Sequence, residues 1–431
     1  MAERIPCKTE GCSSTILPTT SAKTGGICMP CQQEQVRQEQ QAYIEQHRKT
    51  VNLYEGLTNP VDILKVMHAQ RTYSPLIQYV DYPHRKEHIY VSLTAAEAEQ
   101  MLKYAVELLD VGNEDEAEQI LLSLVCYRND NISEVLPKLL ERDMYYPSIL
   151  FKDSSAEIRE RLLQQVEWDD DNRNHLLLIL SWIGDAEVVR QFEEWRLLSP
   201  KWAGQLFVNP DVYALEGGWE LASNGERREL ISDICYAIRA TDEQQVDSVA
   251  ETSAAHFLKT NNSNCPWCKR KLTILMDADT THPSLAYLGL PMERLQVATC
   301  EHCGGFSTIY MELDQQGEPV WSRFNQKPDY LPNWDDEDSN VAVEEIKLTL
   351  SSEPHSPYYA ATWILTQQDS QIGGHPSWVQ DADYPHCPCC AQRMRFIGQL
   401  DWADFDQYGE GIFYMFICVE DRLTATLYQQ S

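Results

Sequence analysis

Hydrophobic positions change their period twice along this chain. From residue 93 to about residue 238 they recur at helical spacing. Thr94 stands three residues before Glu97, the pattern of a capping box, in which a hydroxyl and a carboxylate satisfy the free N–H groups of a first turn. Met101, Leu102, Ala105, Leu108 and Leu109 then form one face, and Gly112 follows as a stop. The signal recurs with Asn113 and Glu116 ahead of Ile120, Leu121, Leu124 and Val125. It recurs again with Ser154 and Glu157 ahead of Ile158, Leu162, Leu163 and Val166. Further helices are predicted over 175–183 and 187–198. Short amphipathic helices in series, without a strict repeat period, point to a HEAT-like α-solenoid or an irregular helical stack.

After about residue 252 the pattern becomes β-type. Short runs at 271–276, 295–299, 308–313, 394–400, 412–419 and 424–429 alternate with turn residues. Before residue 93 periodicity is weak. Residues 1–31 are rich in Cys, Thr, Ser and Gly, and such a segment needs a staple to hold a core. Residues 32–49 read as an exposed Gln/Glu-rich helix. Residues 50–92 read as a docking segment broken by Pro60, Pro75 and Pro83, with a short helix at 61–67 and a strand at 88–91. The expectation is a multi-domain α+β protein: a zinc-ribbon-like module at 1–35, a connecting segment at 36–92, a HEAT-like helical domain at 93–250 and a β-rich domain with zinc knuckles at 251–431.

Charge narrows the function classes. Among 431 residues, 66 acidic side chains face 35 basic ones, for a net charge of −31. A nucleic-acid surface needs a basic stripe to replace counterions, and anionic membranes need the same sign, so neither is an expected partner. The excess suits a basic protein partner, or simply keeps the chain soluble. The first twelve residues hold no apolar signal-peptide core, and no run reaches the roughly 18 apolar residues of a membrane span. The expected location is the cytosol.

The chain has 14 cysteines, mostly paired at short spacing, which in a reducing compartment is metal usage rather than a disulfide framework. Cys7 and Cys12 with Cys28 and Cys31 form one four-thiolate set, with Gly25 and Gly26 suited to the turn before the second pair. Four thiolates close a tetrahedron around Zn²⁺ and leave no open position for catalysis. Cys265 and Cys268 with Cys300 and Cys303 form a second, with the two knuckles of a zinc ribbon. Its first pair, in the order Cys, Pro, Trp, Cys, is also that of a dithiol redox motif, which requires a strand before it and a helix after it. The third is incomplete. Cys387 and Cys390 form a knuckle, with Cys389 inside it, and Cys418 is the natural mate. Three residues beyond Cys418 stands Asp421, not cysteine. The fourth ligand is open between Asp421 and His386, and the cysteines of a decayed site would simply be buried. Cys126 and Cys235 stand alone on apolar helical faces, where packing is the expected role.

No phosphate-binding glycine loop, nucleophile elbow or helical His-Glu-x-x-His pattern is present. The acidic runs Asp169, Asp170, Asp171 and Asp335, Asp336, Glu337, Asp338 lie in polar stretches and read first as solvated surface. Each sits beside a tryptophan, Trp168 and Trp334, and aromatic anchors flanked by acids also suit a docking surface.

From about 255 to 431 the sequence resembles the YwqG-like family. The resemblance rests on CPWC at 265–268, LAYLGL at 285–290, the Cys300 to Cys303 knuckle, IGGHPSWVQ at 372–380, MRFIGQLD at 394–401 and GIFYMFIC at 411–418. WIGD at 182–185, EGGW at 216–219, ILP at 16–18 and CMPC at 28–31 are similar to what precedes that domain in longer members. The resemblance implies a β-rich fold without assigned catalytic residues, and Asp421 departs from its pattern. Longer bacterial members resemble immunity proteins of polymorphic toxin systems. On that footing the expected function is to bind a cognate toxin domain and cover its active or target-binding face, with no enzymatic activity. The toxin would be basic, with an NAD-dependent ADP-ribosyltransferase as one guess. Trp168, Asp169, Asp170, Asp171, Trp334, Asp335, Asp336, Glu337 and Asp338 are its candidate contacts. The rivals are a cytosolic adaptor and an enzyme that reverses a toxin-made modification.

Overall fold

A computed structural model describes residues 3–240, 254–332, 348–365, 369–405 and 409–430. It is a mixed α/β structure with a large antiparallel sheet, and the chain divides into two compact units at residues 89 and 90. Each unit is built on its own terms.

In the first unit a two-residue antiparallel pair, β1 (Ile5–Pro6) and β2 (Thr15–Ile16), leads into α1 (Pro18–Thr24) and α2 (Met29–His47). α2 buries no side chain, as its Gln/Glu-rich sequence predicts. The only apolar packing at this end is Cys7, Ile16 and Cys28 with Cys12, Ile27 and Cys31 beside them, among the described residues. Such a core is far too small to fix a fold without a cross-link. Further on, β3 (Lys49–Val51) pairs in parallel with β4 (Ile77–Tyr79), and α3 (Pro60–His68) makes the crossover. Asn59 caps α3 by accepting from the Val61 N–H, and Val61, Ile63 and Leu64 are buried.

The predicted strand at 88–91 is instead a helix, α4 (Lys86–Ser92). Glu87, Ile89 and Tyr90 are all buried. A strand would put the adjacent Ile89 and Tyr90 on opposite faces, whereas a helical turn lets neighbouring residues be buried together. A four-residue apolar run does not distinguish the two by period.

The helices of the second unit follow the sequence pattern. α5 (Ala95–Asp110) begins with the Thr94–Glu97 capping box, and Met101, Leu102, Ala105, Leu108 and Leu109 are buried. α6 (Glu114–Arg128) is buried along nearly its whole length. Its Asn113 makes no side-chain cap; the amide donates to Glu116 Oε2 at 2.8 Å instead. After α7 (Leu136–Leu140), α8 (Ala156–Val166) starts one residue later than predicted. Ser155 accepts from the Ile158 N–H, while Ser154 donates to the Phe151 carbonyl. α9 (Arg173–Ile183) and α10 (Ala186–Leu198) complete the series, with Asp185 capping α10.

The β part carries β5 (Trp219–Leu221), β6 (Arg227–Glu229), β7 (Cys235–Ala240), β8 (Ala255–Asn264), β9 (Lys271–Asp279), β10 (Arg294–Thr299), β11 (Ile309–Leu313), β12 (Pro319–Trp321), β13 (Leu348–Leu350), β14 (Gln371–Gly373), β15 (Arg395–Asp401), β16 (Ile412–Cys418) and β17 (Leu423–Gln429). An eight-stranded sheet runs in the order β12-β11-β17-β16-β15-β14-β7-β13, and a three-stranded sheet in the order β10-β9-β8. β16 shows why its run of seven apolar residues is needed. Phe413, Met415 and Ile417 join one core with Met276, Leu295 and Val297 of the smaller sheet. Ile412, Tyr414 and Phe416 join another with Leu215, Leu230 and Trp378. A strand covered on both faces cannot alternate with polar residues.

The helical pattern was expected to run to about residue 238, with Cys235 on a helical face. Cys235 is the first residue of β7, which pairs with β14 and β13. Six residues of mixed apolar character carry no periodic preference of their own, and two neighbouring strands decide the outcome.

Candidate metal centres

Among the described residues, three groups of cysteine and acidic side chains bring four donor atoms within 4.8 Å of one another. They are Cys7, Cys12, Cys28 and Cys31; Cys265, Cys268, Cys300 and Cys303; and Cys387, Cys390, Cys418 and Asp421. A tetrahedral ion with Zn–S bonds of 2.3 Å sets sulfurs about 3.8 Å apart. The Cys12 and Cys28 sulfurs are 3.8 Å apart, Cys265 and Cys303 3.8 Å, Cys268 and Cys300 3.5 Å, and Cys390 and Cys418 3.7 Å. All 14 cysteines are free of disulfides. The three groups can each hold a metal ion.

Local backbone chemistry aims these sulfurs. In the first group Cys28 stands at the N-cap position of α2, and its N–H donates to the Cys7 sulfur at 3.2 Å. The preceding turn uses Gly25 and Gly26 at φ of 66° and 97°, a region closed to most side chains. In the second group the Cys265 N–H donates to the Arg270 carbonyl, the Lys269 N–H donates to the Cys265 carbonyl, and Lys269 is left-handed. The third group repeats that knuckle bond for bond. The Cys387 N–H donates to Gln392, the Ala391 N–H donates to Cys387, and Ala391 is left-handed. What differs is the other half. Cys300 precedes a helical turn (Glu301–Gly304) that contains Cys303, whereas Cys418 ends β16 and Asp421 stands in the connection to β17.

Electrostatics favour a cation at the centre. Hydrogen bonding from Cys300 and Cys303 lowers the Cys265 thiol, and the same contacts raise Cys300 and Cys303. Four thiols this close cannot all ionise alone, and a divalent ion removes that conflict. β8 precedes the Cys265 to Cys268 pair and β9 follows it, so the helix that a dithiol redox motif requires is not there. His386 is not among the gathered donors. Its Nδ1 lies 3.0 Å from the Ala391 carbonyl, and Asp421 takes the fourth position.

Over its whole length the chain is 39% identical, across 446 residues, to the uncharacterized protein YpfL of Salmonella typhimurium strain LT2, and it covers 100% of that protein. This chain belongs to the YpfL family. No family model matches it, and no solved structure does.

The remaining candidate residues of this YpfL-family chain divide. Trp168 is 71% exposed at the end of α8. Asp169 is engaged locally, accepting from Gln165 and Asn172, and those bonds hold its carboxyl below the ordinary range against the effect of burial. Asp170 pairs with the buried Arg173 at 2.5 Å, and Asp171 is exposed. Arg173 lies over the Trp202 ring, and Trp202 donates to Glu167 at 3.0 Å, so the segment after α10 packs against Glu167 and Arg173 on either side of the 168–171 stretch in the chain. The last residues of α10, Leu197 and Leu198, and Phe207 after it are exposed. Trp334, Asp335, Asp336, Glu337 and Asp338 lie outside the described residues.

Two arrangements escaped the sequence. One is a junction. The Trp182 ring lies 4.4 Å from that of His375, whose Nε2 faces the Glu216 carbonyl at 2.8 Å. Glu216 Oε1 in turn accepts from the Ala382 N–H. Burial pushes the Glu216 carboxyl up to about 7 and the His375 imidazole down to about 4. The other is a polar cluster on the sheet. Ser370 donates through its N–H to Asp404, Gln399 donates to the Asp369 carbonyl, and the Ser377 N–H donates to Gln399. Burial raises Asp404 to about 6. Glutamines inside apolar strands, at 371 and 399, were the available signal.

Proposed function

We propose that this protein is an immunity protein that binds a cognate antibacterial toxin domain and covers its active or target-binding face. The observation that carries the reading is the 71% exposure of Trp168, which the acidic Asp169, Asp170 and Asp171 follow directly in the chain, in a helical region that also exposes Leu197, Leu198 and Phe207. Large exposed aromatics rimmed by charge are what a binding hot spot requires, and the rim selects a basic partner. In this reading zinc fills the cysteine groups as a structural staple, the helices α5 to α10 are a HEAT-like stack, and the C-terminal β-rich part is a YwqG-like domain. The protein acts in the cytosol, where thiolates stay reduced.

The test is a pull-down of the tagged chain from its own cells, with mass spectrometry of the co-purifying proteins. One stoichiometric basic toxin-like domain supports the reading; a spread of housekeeping proteins favours an adaptor and overturns it. With the partner in hand, Trp168→Ala is expected to raise the dissociation constant about 30-fold, or about 2 kcal/mol. An unchanged constant would place the interface elsewhere. Association should slow as salt rises past about 0.1 M, where charges are screened beyond about 10 Å. Salt-independent association rates would remove the electrostatic part of the argument.

The polar cluster around Asp404 favours a second reading, an enzyme that reverses a toxin-made modification, because a buried carboxyl raised toward neutrality suits proton transfer. Asp404→Asn separates the two: a variant that binds toxin fully yet no longer protects cells would favour the enzyme.

A further inference from the structure

The third donor group departs from the other two in ways that bear on exchange. Cys265, Cys300 and Cys303 are fully buried and Cys268 is half-buried, so incoming ligands reach that site poorly. In the third group Cys390 and Asp421 are exposed. Asp421 Oδ2 stands 3.2 Å from Cys387 Sγ and 3.4 Å from Cys418 Sγ, against an edge of about 3.6 Å in a mixed oxygen and sulfur tetrahedron. Its place is on a hairpin turn rather than in a strand. Swinging the turn tip away would free the carboxylate while β16 and β17 stay paired from Cys418 to Leu423 onward. A carboxylate oxygen is also a harder, weaker partner for zinc than a thiolate.

A second observation lies beside it. A cleft of about 190 Å³ has Cys418 in its wall together with Arg228, Arg393, Arg395 and one acid, Glu420. Three thiolates and a carboxylate exceed the charge of a divalent ion by about two, and nearby guanidiniums offset part of that excess in a chain of net charge −31, Arg228 and Arg393 being shared with Glu220. The same cations favour the approach of an anionic ligand. A fourth thiol, Cys389, is exposed next to Cys390 and outside the donor set.

We propose that Cys387, Cys390, Cys418 and Asp421 form an exchangeable zinc site, opened at the Asp421 corner to an incoming thiolate, while the two four-cysteine sites hold their metal permanently. The third site passes zinc to and from a thiol-bearing donor. Its occupancy ties the 387–392 knuckle to the β16–β17 hairpin.

The experiment uses the full chain, purified with zinc in a Cys389→Ser background so that the free thiol does not intervene. Metal content is measured by elemental analysis, and release by a chromophoric chelator with and without glutathione. About three equivalents are expected, one leaving at least about tenfold faster than the rest and accelerated by glutathione. Asp421→Cys should abolish the fast phase while retaining the third equivalent, and Asp421→Asn should lose that equivalent. Two equivalents under saturating zinc, or three released at one rate, would overturn the proposal. So would a fast phase that persists in Asp421→Cys. Circular dichroism of each variant shows whether the fold is kept, and Asp421, exposed on a turn, has no core packing to lose.

Discussion

Replacing Cys265 by serine is expected to release one metal equivalent and to unfold the β8-β9-β10 sheet. Cys265 is fully buried in a small core with Leu272, Ile274, Ala298, Ile309 and Met311, and the Trp267 and Trp321 rings pack beside them 5.2 Å apart. Metal binding in small zinc sites supplies roughly 10 kcal/mol of folding free energy, comparable with the whole net stability of an ordinary domain. A serine hydroxyl neither ionises at neutral pH nor matches the reach of a thiolate, so the remaining three thiolates would be left close together and only partly neutralised. Cys300→Ser should behave alike, because its sulfur lies opposite Cys268 at 3.5 Å. Cys389→Ser is the control: an exposed thiol outside the donor sets, whose loss should leave both melting and metal content as they were. Unchanged melting and zinc content in Cys265→Ser would show that the cysteines are packing residues and that no structural metal is held there.

The donor sets were readable from spacing because a knuckle is a local object. Two cysteines separated by two residues, followed by a left-handed residue, bring their sulfurs together with backbone bonds that involve only their own neighbours. The amphipathic helices were readable for the same reason, as period and cap lie within one segment. The failures share the opposite cause. β7 and α4 are short, and their state is set by what they pack against rather than by their own sequence. The junction of Trp182, Glu216 and His375 joins three stretches that are far apart in the chain. Each stretch stood out as a motif, but nothing in a single sequence says that glycines at 217 and 373 are there for close approach. A Cβ on Gly217 would lie 2.1 Å from the Ser181 carbonyl oxygen, and one on Gly373 would lie 2.2 Å from that of Ile234. Trp168 was identifiable as an aromatic beside acids, whereas the exposure of Leu197 and Leu198 at the end of α10 and of Phe207 after it depends on tertiary packing that no local pattern reveals.

That junction makes a second strong expectation, with a sign fixed by proton linkage. Glu216→Gln should stabilise the protein, and more so as pH rises. Burial raises the Glu216 carboxyl from its ordinary 4.5 to about 7. Below pH 4.5 both folded and unfolded chains carry the proton, and the residue adds no pH-dependent term. Between about 4.5 and 7 the unfolded chain releases its proton while the folded chain keeps it, so stability falls as pH rises, by about 3 kcal/mol in all. Above pH 7 the folded carboxyl ionises too and the loss levels off. Glutamine is neutral throughout, and its side-chain oxygen can still accept from the Ala382 N–H, the 2.9 Å bond that Glu216 makes. His375 works in the other direction, because burial pushes it down to about 4 and its proton uptake disfavours the fold at acid pH, but that contribution is common to both proteins and cancels in the comparison. Urea melts of wild type and Glu216→Gln, at equal zinc, should nearly coincide at pH 4.5 and separate by up to about 3 kcal/mol at pH 8. Curves that coincide at both pH values would mean that Glu216 is ionised and solvated in the folded chain, and that the junction is held by the His375 and Trp182 contacts without it.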